Sequence, residues 1–220
     1  MASAAVPPEP PAAHRPTTVQ RPPQDWWRAH PFNPVTGRFA STAFNSTAGS
    51  NARFSPLLDA SGHVIASIYA ANTIEVALME SVLHDVPFPS TGYQHNFKRD
   101  RAGSYHVSRV RTTATLTLVD LSTLGLSAMG LQPSDLFESN KPDYPRTRRW
   151  AQWLRQQWPS AAGLSWMSRR DNRSEAIVLF EDRMARGALV EVAAPKHVSA
   201  FESTTLALLA QMGASAAPDL

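Results

Sequence analysis

The chain has 220 residues, with 21 Lys and Arg against 18 Asp and Glu, a formal net charge of +3. That balance is too mild to argue for nucleic acid on charge alone, and it leaves room for an anionic small molecule. No cysteine is present, so disulfides, thiolate chemistry and Cys-based zinc sites are excluded, and the composition is compatible with a reducing cytoplasm.

The length suits one α+β domain of about 170 to 190 residues behind a tail, and two full domains would be cramped. Residues 1–24 are rich in Pro and Ala, carry isolated Arg residues and offer no apolar run that could serve as a signal-peptide core. They read as a disordered tail, with the folded domain expected over residues 25–213 and a flexible C-terminus over 214–220. No stretch approaches the roughly twenty apolar residues of a membrane-spanning helix, and no repeat announces a solenoid or propeller. A soluble, cytoplasmic protein is the expectation.

Order is expected to begin at Asp25, Trp26 and Trp27, and residues 30–34 read as extended and turn-rich. Residues 39–55 are full of Ser, Thr, Asn and Gly, which favour local turns, and loops of this kind often line sites. Residues 59–63 read as a turn and 64–70 as a strand of branched, apolar content. Asn72 then suits a helix N-cap with Glu75 at the capping-box position. The helix predicted over residues 72–84 is apolar nearly all round, a pattern of burial, yet it carries Glu80. A buried acid is costly unless something pairs with it or uses it; a narrow solvated stripe is the alternative.

Strands are predicted over residues 104–110 and 115–121, whereas residues 124–131 show no decisive pattern. A helix over residues 144–158 places Trp150, Trp153, Leu154 and Trp158 near helical spacing, with Arg148, Arg149 and Arg155 between them. Its Arg- and Trp-bearing part, Arg146 to Trp158, is the best feature for a non-enzymatic nucleic-acid-binding module. Core tryptophans with a solvated arginine rim are the favoured reading. Residues 163–168 and 175–180 then read as strands joined by a polar turn, residues 188–193 as another strand and 199–212 as a closing helix. Strands on both sides of short helices favour α+β, with mixed or antiparallel sheets, over a regularly alternating parallel sheet.

Several chemistries are disfavoured by the residues. The seven histidines form no ligand pair on one helix and no H-E-x-x-H run occurs, so no metal is expected. G-x-G-x-x-G, Walker and G-x-S-x-G motifs are absent, which argues against dinucleotide-fold dehydrogenases, NTPases and serine hydrolases of the α/β type. What remains is a set of polar residues in apolar settings: Arg53, Tyr69, Glu80 and Ser168.

The ordered set Arg53-Phe54-Ser55-Pro56-Leu57, Ile68-Tyr69-Ala70-Ala71 and Ala77-Leu78-Met79-Glu80 with His84-Asp85 resembles the first half of the RES domain family. Tyr144-Pro145-Arg146-Thr147-Arg148, Gly163-Leu164-Ser165-Trp166-Met167-Ser168-Arg169-Arg170 and Ala176 to Phe180 with Asp182-Arg183 resemble the second. The resemblance implies an NAD+-consuming enzyme with a fold similar to the ADP-ribosyltransferase toxins. Its members are typically toxins of bacterial toxin-antitoxin pairs, neutralised by a partner with an Xre-type DNA-binding domain, and they cleave NAD+ by phosphorolysis or hydrolysis. Some instead transfer ADP-ribose to a protein. By this match Arg53, Tyr69, Glu80 and Ser168 fall on active-site positions, and Arg170 on a basic position there. Inorganic phosphate is then a candidate co-substrate, nucleic acid is reached only through the antitoxin, and the oligomeric state, a homodimer included, stays open.

These residue types suit that chemistry. Breaking the nicotinamide–ribose bond builds positive charge on the sugar, as in glycoside cleavage, and a fixed carboxylate at Glu80 would stabilise it. Arg53 offers a planar fork for the pyrophosphate or an incoming phosphate. Tyr69 has a ring to stack on nicotinamide and a hydroxyl to bond a neighbour. Ser168 is placed to donate to the adjacent ribose or to a phosphate. Three classes stand open: an NAD+ glycohydrolase or phosphorylase, an ADP-ribosyltransferase on protein or nucleic acid, and a non-enzymatic binding module.

Overall fold

Alternation along the strands divides the buried side chains between two faces of one large sheet. In the computed structural model the described residues are 8–10, 16–33, 35–36, 39–87, 92–96, 105–139 and 141–217. Eight strands form the sheet: β1 (Thr18–Arg21), β2 (Asp25–Pro31), β5 (Ser67–Ala71), β7 (Tyr105–Thr112), β8 (Leu116–Asp120), β9 (Gly163–Met167), β10 (Glu175–Phe180) and β11 (Leu189–His197), in the order β1-β8-β9-β10-β5-β2-β7-β11. Every pairing is antiparallel except β8 with β9. Short two-stranded pairs add β3 (Leu57–Leu58) with β4 (Val64–Ile65), and β6 (Gln94–His95) with β12 (Ser215–Ala216).

Trp26, Ile68, Ala70, Leu118, Ile177 and Leu179 point to one face. Ala71, Val107, Val119, Leu164, Trp166, Ala176, Val178 and Phe180 point to the other, where they meet Val76, Leu78, Leu126, Leu136, Trp150, Leu154 and Leu208 of the helices. Those helices are α1 (Ile74–Met79), α2 (Thr123–Ala128), α3 (Pro133–Phe137), α4 (Tyr144–Gln157) and α5 (Glu202–Gln211). The central strand β10 is buried at every position because it is covered on both sides, which explains its unbroken apolar run. β9 and β10 approach so closely at Gly163 that a Cβ there would lie 1.9 Å from the Val178 carbonyl oxygen. The α+β expectation with a mixed, mainly antiparallel sheet is what the fold shows.

Several boundaries differ from the sequence reading. The tail expected over residues 1–24 contains strand β1, whose Thr18 to Arg21 pair with Val119 to Leu116 of β8. Its period-2 signal is masked by polar side chains, and pairing with a neighbouring strand holds it. Upstream, the Pro16 carbonyl accepts from the Trp158 indole at 2.7 Å and the Pro8 carbonyl accepts from the Trp150 indole at 2.7 Å. Residues 1–7 and 11–15 of that expected tail lie outside the described residues. At the other end, Ser215 and Ala216 pair in parallel with β6, so the flexible segment expected over residues 214–220 begins later than its composition suggests; residues 218–220 are not among those described.

The helix expected over residues 72–84 is shorter. Its N-cap is Thr73, whose hydroxyl accepts from the Val76 N–H, while the Asn72 side chain accepts from Glu175 N–H at 2.9 Å and ties the start of α1 to β10. The helix stops at Met79, and residues 80–85 continue as turns closed by the Leu83 N–H to the Leu78 carbonyl at 2.9 Å. The apolar residues in the turns are buried all the same: Val82, Leu83 and Val86 join the core. All-round hydrophobicity thus reported burial correctly and helix length wrongly.

The candidate functional site

Four segments distant in the chain converge on the helix-bearing face of the sheet. The turn-rich loop before β3 supplies Arg53, β5 supplies Tyr69, the end of α1 supplies Glu80, and the turn after β9 supplies Ser168. Arg53, Tyr69 and Glu80 line one cavity of about 1080 Å³, together with Trp166, Phe137, Ser139, Tyr144, His84, Arg169 and Arg170.

Glu80 is the C-cap of α1. Its Oε1 accepts a 2.7 Å hydrogen bond from the Ser168 hydroxyl, and Oε2 has no protein partner among the described residues. Ser168 itself is fully buried and does not line the cavity; its Oγ also accepts from the Arg170 N–H at 3.3 Å. In place of the expected donation to ribose or phosphate, the one hydroxyl hydrogen of Ser168 is committed to the Glu80 carboxylate.

Arg53 is held from three sides. Its Nη1 donates to the Leu136 carbonyl at 2.5 Å and to Ser139 Oγ at 2.6 Å, and its guanidinium lies 4.9 Å from the Tyr144 ring centroid and 5.9 Å from that of Phe137. Nε and Nη2 have no protein partner among the described residues. The Thr147 hydroxyl fixes the backbone by donating to the Arg53 carbonyl at 2.5 Å. Burial works against the guanidinium charge and lowers its pKa, while Tyr144, Glu80 and Tyr69 act the other way. The same carboxylate supports Arg170, which burial also lowers and Glu80 raises. Arg170 donates to the carbonyls of Val86 and His84, so it locks the turns after α1 onto the turn after β9.

Tyr69 donates from its hydroxyl to Ser55 Oγ at 3.2 Å and accepts from the Phe54 N–H at 3.2 Å. Burial of that hydroxyl pushes its pKa up to about 12, so it remains a phenol throughout the neutral range. Its ring packs edge-on to Trp166, which meets Phe54 edge-on and stacks with Phe137. These aromatics make a rigid apolar wall beside a carboxylate and an arginine fork, a combination suited to a flat heteroaromatic cation joined to an anionic group.

The residues found by sequence pattern are thus brought together, three on the cavity and one behind it. The sequence pattern alone does not mark Phe137, Ser139, Tyr144, Thr147 and Trp166 as site residues. Their signal lay in the quoted motif segments around Tyr144 and Trp166, whereas Phe137 and Ser139 sit in a segment without any distinctive pattern.

The sequence matches the RES domain over residues 25–201. This chain belongs to the RES domain family. A search of curated proteins finds no match to this RES protein. Its fold is similar to a chain of the crystal structure of the M. tuberculosis MbcT-MbcA toxin-antitoxin complex, with TM-score 0.57 and 14% sequence identity over 85% of this chain and 91% of that one.

Helix α4 bears Trp150 and Trp153 and ends at Gln157 with Trp158 as its C-cap, one residue short of the expected span. Trp150 is fully buried, with Trp153 and Trp158 packed against the core. Arg155 is not on a solvated rim: it is buried, donates to both Asp182 oxygens and lies 4.6 Å from the Phe180 ring. Its long stem covers apolar surface while the guanidinium finds a partner at the edge. The tryptophans and Arg155 of the segment most suggestive of nucleic acid are absorbed into the fold, while Arg146 and Arg149 are exposed and Arg149 pairs with Glu9. Among the described residues, no group of three or more His, Asp or Glu is arranged to hold a metal, and no helix is long and apolar enough to cross a membrane.

Proposed function

We propose that this RES protein consumes NAD+ by cleaving the bond between nicotinamide and ribose, and that it is the toxin of a toxin-antitoxin pair. The observation that carries the reading is the convergence of Arg53, Tyr69 and Glu80 on one cavity, with Ser168 buried behind Glu80 and bonded to it. Membership of the RES family and the likeness to a chain of a toxin-antitoxin complex support it.

Departure of nicotinamide returns the bonding electron pair to the ring nitrogen, which loses its positive charge, and leaves an oxocarbenium-like ribose. Glu80 is the group to face that developing charge. Its position is fixed before reaction by Ser168, so little reorganisation is needed as the charge appears. Arg53 presents Nε and Nη2 to a phosphate oxygen, and the aromatic wall of Tyr69 and Trp166 takes the nicotinamide. The acceptor is water in hydrolysis or orthophosphate in phosphorolysis; no metal takes part. In the cell, loss of NAD+ arrests growth, and an Xre-type antitoxin relieves it.

Purified protein incubated with NAD+ tests this directly. Release of nicotinamide with free ADP-ribose or its phosphorylated form is the expected result. Labelled macromolecule in its place would make the enzyme an ADP-ribosyltransferase, and unchanged NAD+ would reject the activity. Glu80→Gln should lower turnover at least about 100-fold without shifting the thermal midpoint appreciably. Full activity in that variant would refute the role of the carboxylate.

A further inference from the structure

On the wall of the same cavity stands a second polar constellation with no part in the chemistry above. Asp85 Oδ1 lies 2.9 Å from His84 Nδ1, and the opposite ring nitrogen, Nε2, lies 3.4 Å from the Tyr144 hydroxyl. Lys141 closes the other end, 2.7 Å from Asp85 Oδ2. His84, Asp85, Lys141 and Tyr144 all line the cavity that holds Arg53 and Glu80.

The order of these contacts gives the chain a direction. A carboxylate cannot donate, so the imidazole proton sits on Nδ1 and Nε2 presents a lone pair to the Tyr144 O–H. Asp85 remains ionised: partial burial works to raise its pKa, but hydrogen bonds from Lys141 and His84 outweigh it and hold it below the ordinary value. Tyr144 is 3% exposed, with its ring under the Arg53 guanidinium, so its oxygen is directed by packing. Arg170 donates to the His84 carbonyl and immobilises the backbone of the histidine. The imidazole is one-third exposed and Asp85 two-thirds, which gives an arriving proton a way out to water. The contact to Tyr144 is long, as acid–base contacts often are before a substrate tightens them.

We propose that the Asp85–His84–Tyr144 chain accepts the proton of a neutral hydroxyl, water in the simplest case, that attacks the ribose. The inference rests on the NAD+ reading above and names the class of acceptor. As the nicotinamide bond breaks, the water oxygen forms a bond to the anomeric carbon and passes its proton to the Tyr144 oxygen. The phenolic proton moves to His84 Nε2, and the resulting imidazolium is stabilised by Asp85 until it loses the proton to solvent. The products are nicotinamide, ADP-ribose and one proton. Orthophosphate, already anionic, does not need this service.

The charged and titratable groups around the imidazole are Asp85 and Tyr144 in contact, Lys141 beyond Asp85, Arg170 on the carbonyl, Glu80 one turn earlier in the chain and Arg53 on the other side of Tyr144. The test is nicotinamide release by the full chain across pH 5 to 9, in phosphate-free buffer and again with orthophosphate. Wild-type turnover without phosphate should show a limb that rises with pH, because the attacking hydroxyl must give up a proton. His84→Asn should remove that limb and lower kcat about 100-fold at unchanged KM, with recovery when orthophosphate is added. Asp85→Asn, at an exposed position, serves as the second variant and should flatten the same limb. An unchanged pH profile in either variant overturns the proposal, and so does equal loss with and without orthophosphate. A wild type that releases no nicotinamide sinks the NAD+ reading and this proposal together, whereas an active wild type with unaltered variants sinks this proposal alone.

Discussion

Glu80 occupies a position that local rules disfavour twice. It caps the C-terminal end of α1, where unsatisfied carbonyls repel an anion, and it lies between the buried apolar Met79 on one side and Val82 and Leu83, beyond Ser81, on the other. The carboxylate is held there by the Ser168 hydroxyl and by the field of Arg53 and Arg170, all supplied from elsewhere in the chain. Ser168→Ala should therefore act on chemistry more than on folding. Loss of one hydrogen bond to a charged group costs about 1.5 to 3 kcal/mol, and because Glu80 keeps its access to the cavity, kcat for nicotinamide release should fall roughly 10-fold while the protein stays folded. Arg53→Lys tests the fork. An ammonium cannot bond Leu136 and Ser139 and still present two donors to a phosphate, so KM for NAD+ should rise about 10-fold or more; an unchanged KM would remove Arg53 from substrate binding.

At the scale of elements, strand β1 shows how a polar segment becomes structural. Arg21 at its end donates through Nε to both oxygens of Glu175, at 2.8 and 2.9 Å, and Glu175 is a buried carboxylate that also accepts from Ser165. Deleting residues 1–21 removes that guanidinium, the β8 pairing and the carbonyl partners of the Trp150 and Trp158 indoles. An uncompensated buried charge alone costs about 3 to 5 kcal/mol, so the thermal midpoint should drop by about 10 °C or more. An unchanged midpoint would mean that these contacts contribute nothing. Strand β1 was illegible in the sequence because Thr-Val-Gln-Arg follows a Pro-rich stretch and has a single apolar residue to announce it. By contrast β5, β9 and β10 were legible from branched, apolar runs, and α4 from its tryptophan spacing. The site divided in the same way. Arg53, Tyr69 and Glu80 stood out as polar residues in apolar settings. Ser139 and Tyr144 did not, because what makes them site residues is contact with Arg53, more than eighty positions earlier in the chain.

Across the whole molecule, the sheet separates chemistry from a second buried polar system on its opposite face. There Arg28 donates through Nη1 to the carbonyls of Ala40, Ser41 and Ala43, and His30 bonds Ser108 Oγ through Nε2 at 2.7 Å and the Pro31 carbonyl through Nδ1 at 3.0 Å. Burial lowers the pKa of His30 to about 3, with the charges of Arg28 and His106 working in the same direction and carbonyls of Pro31 and Phe39 partly opposing. The sign follows from proton counting. Between the ordinary histidine value near 6.5 and the folded value, the unfolded chain binds a proton that the folded chain refuses, so stability falls as pH drops through that window. The upper bound on the loss is about 5 kcal/mol. Denaturant unfolding of wild type and His30→Gln at pH 7 and pH 4.5 measures it. Glutamine retains a group able to bond Ser108 but cannot titrate, so the variant should start less stable at pH 7 and lose less on acidification. Parallel losses in the two proteins would show that carboxylates elsewhere, not His30, set the acid limit of the fold.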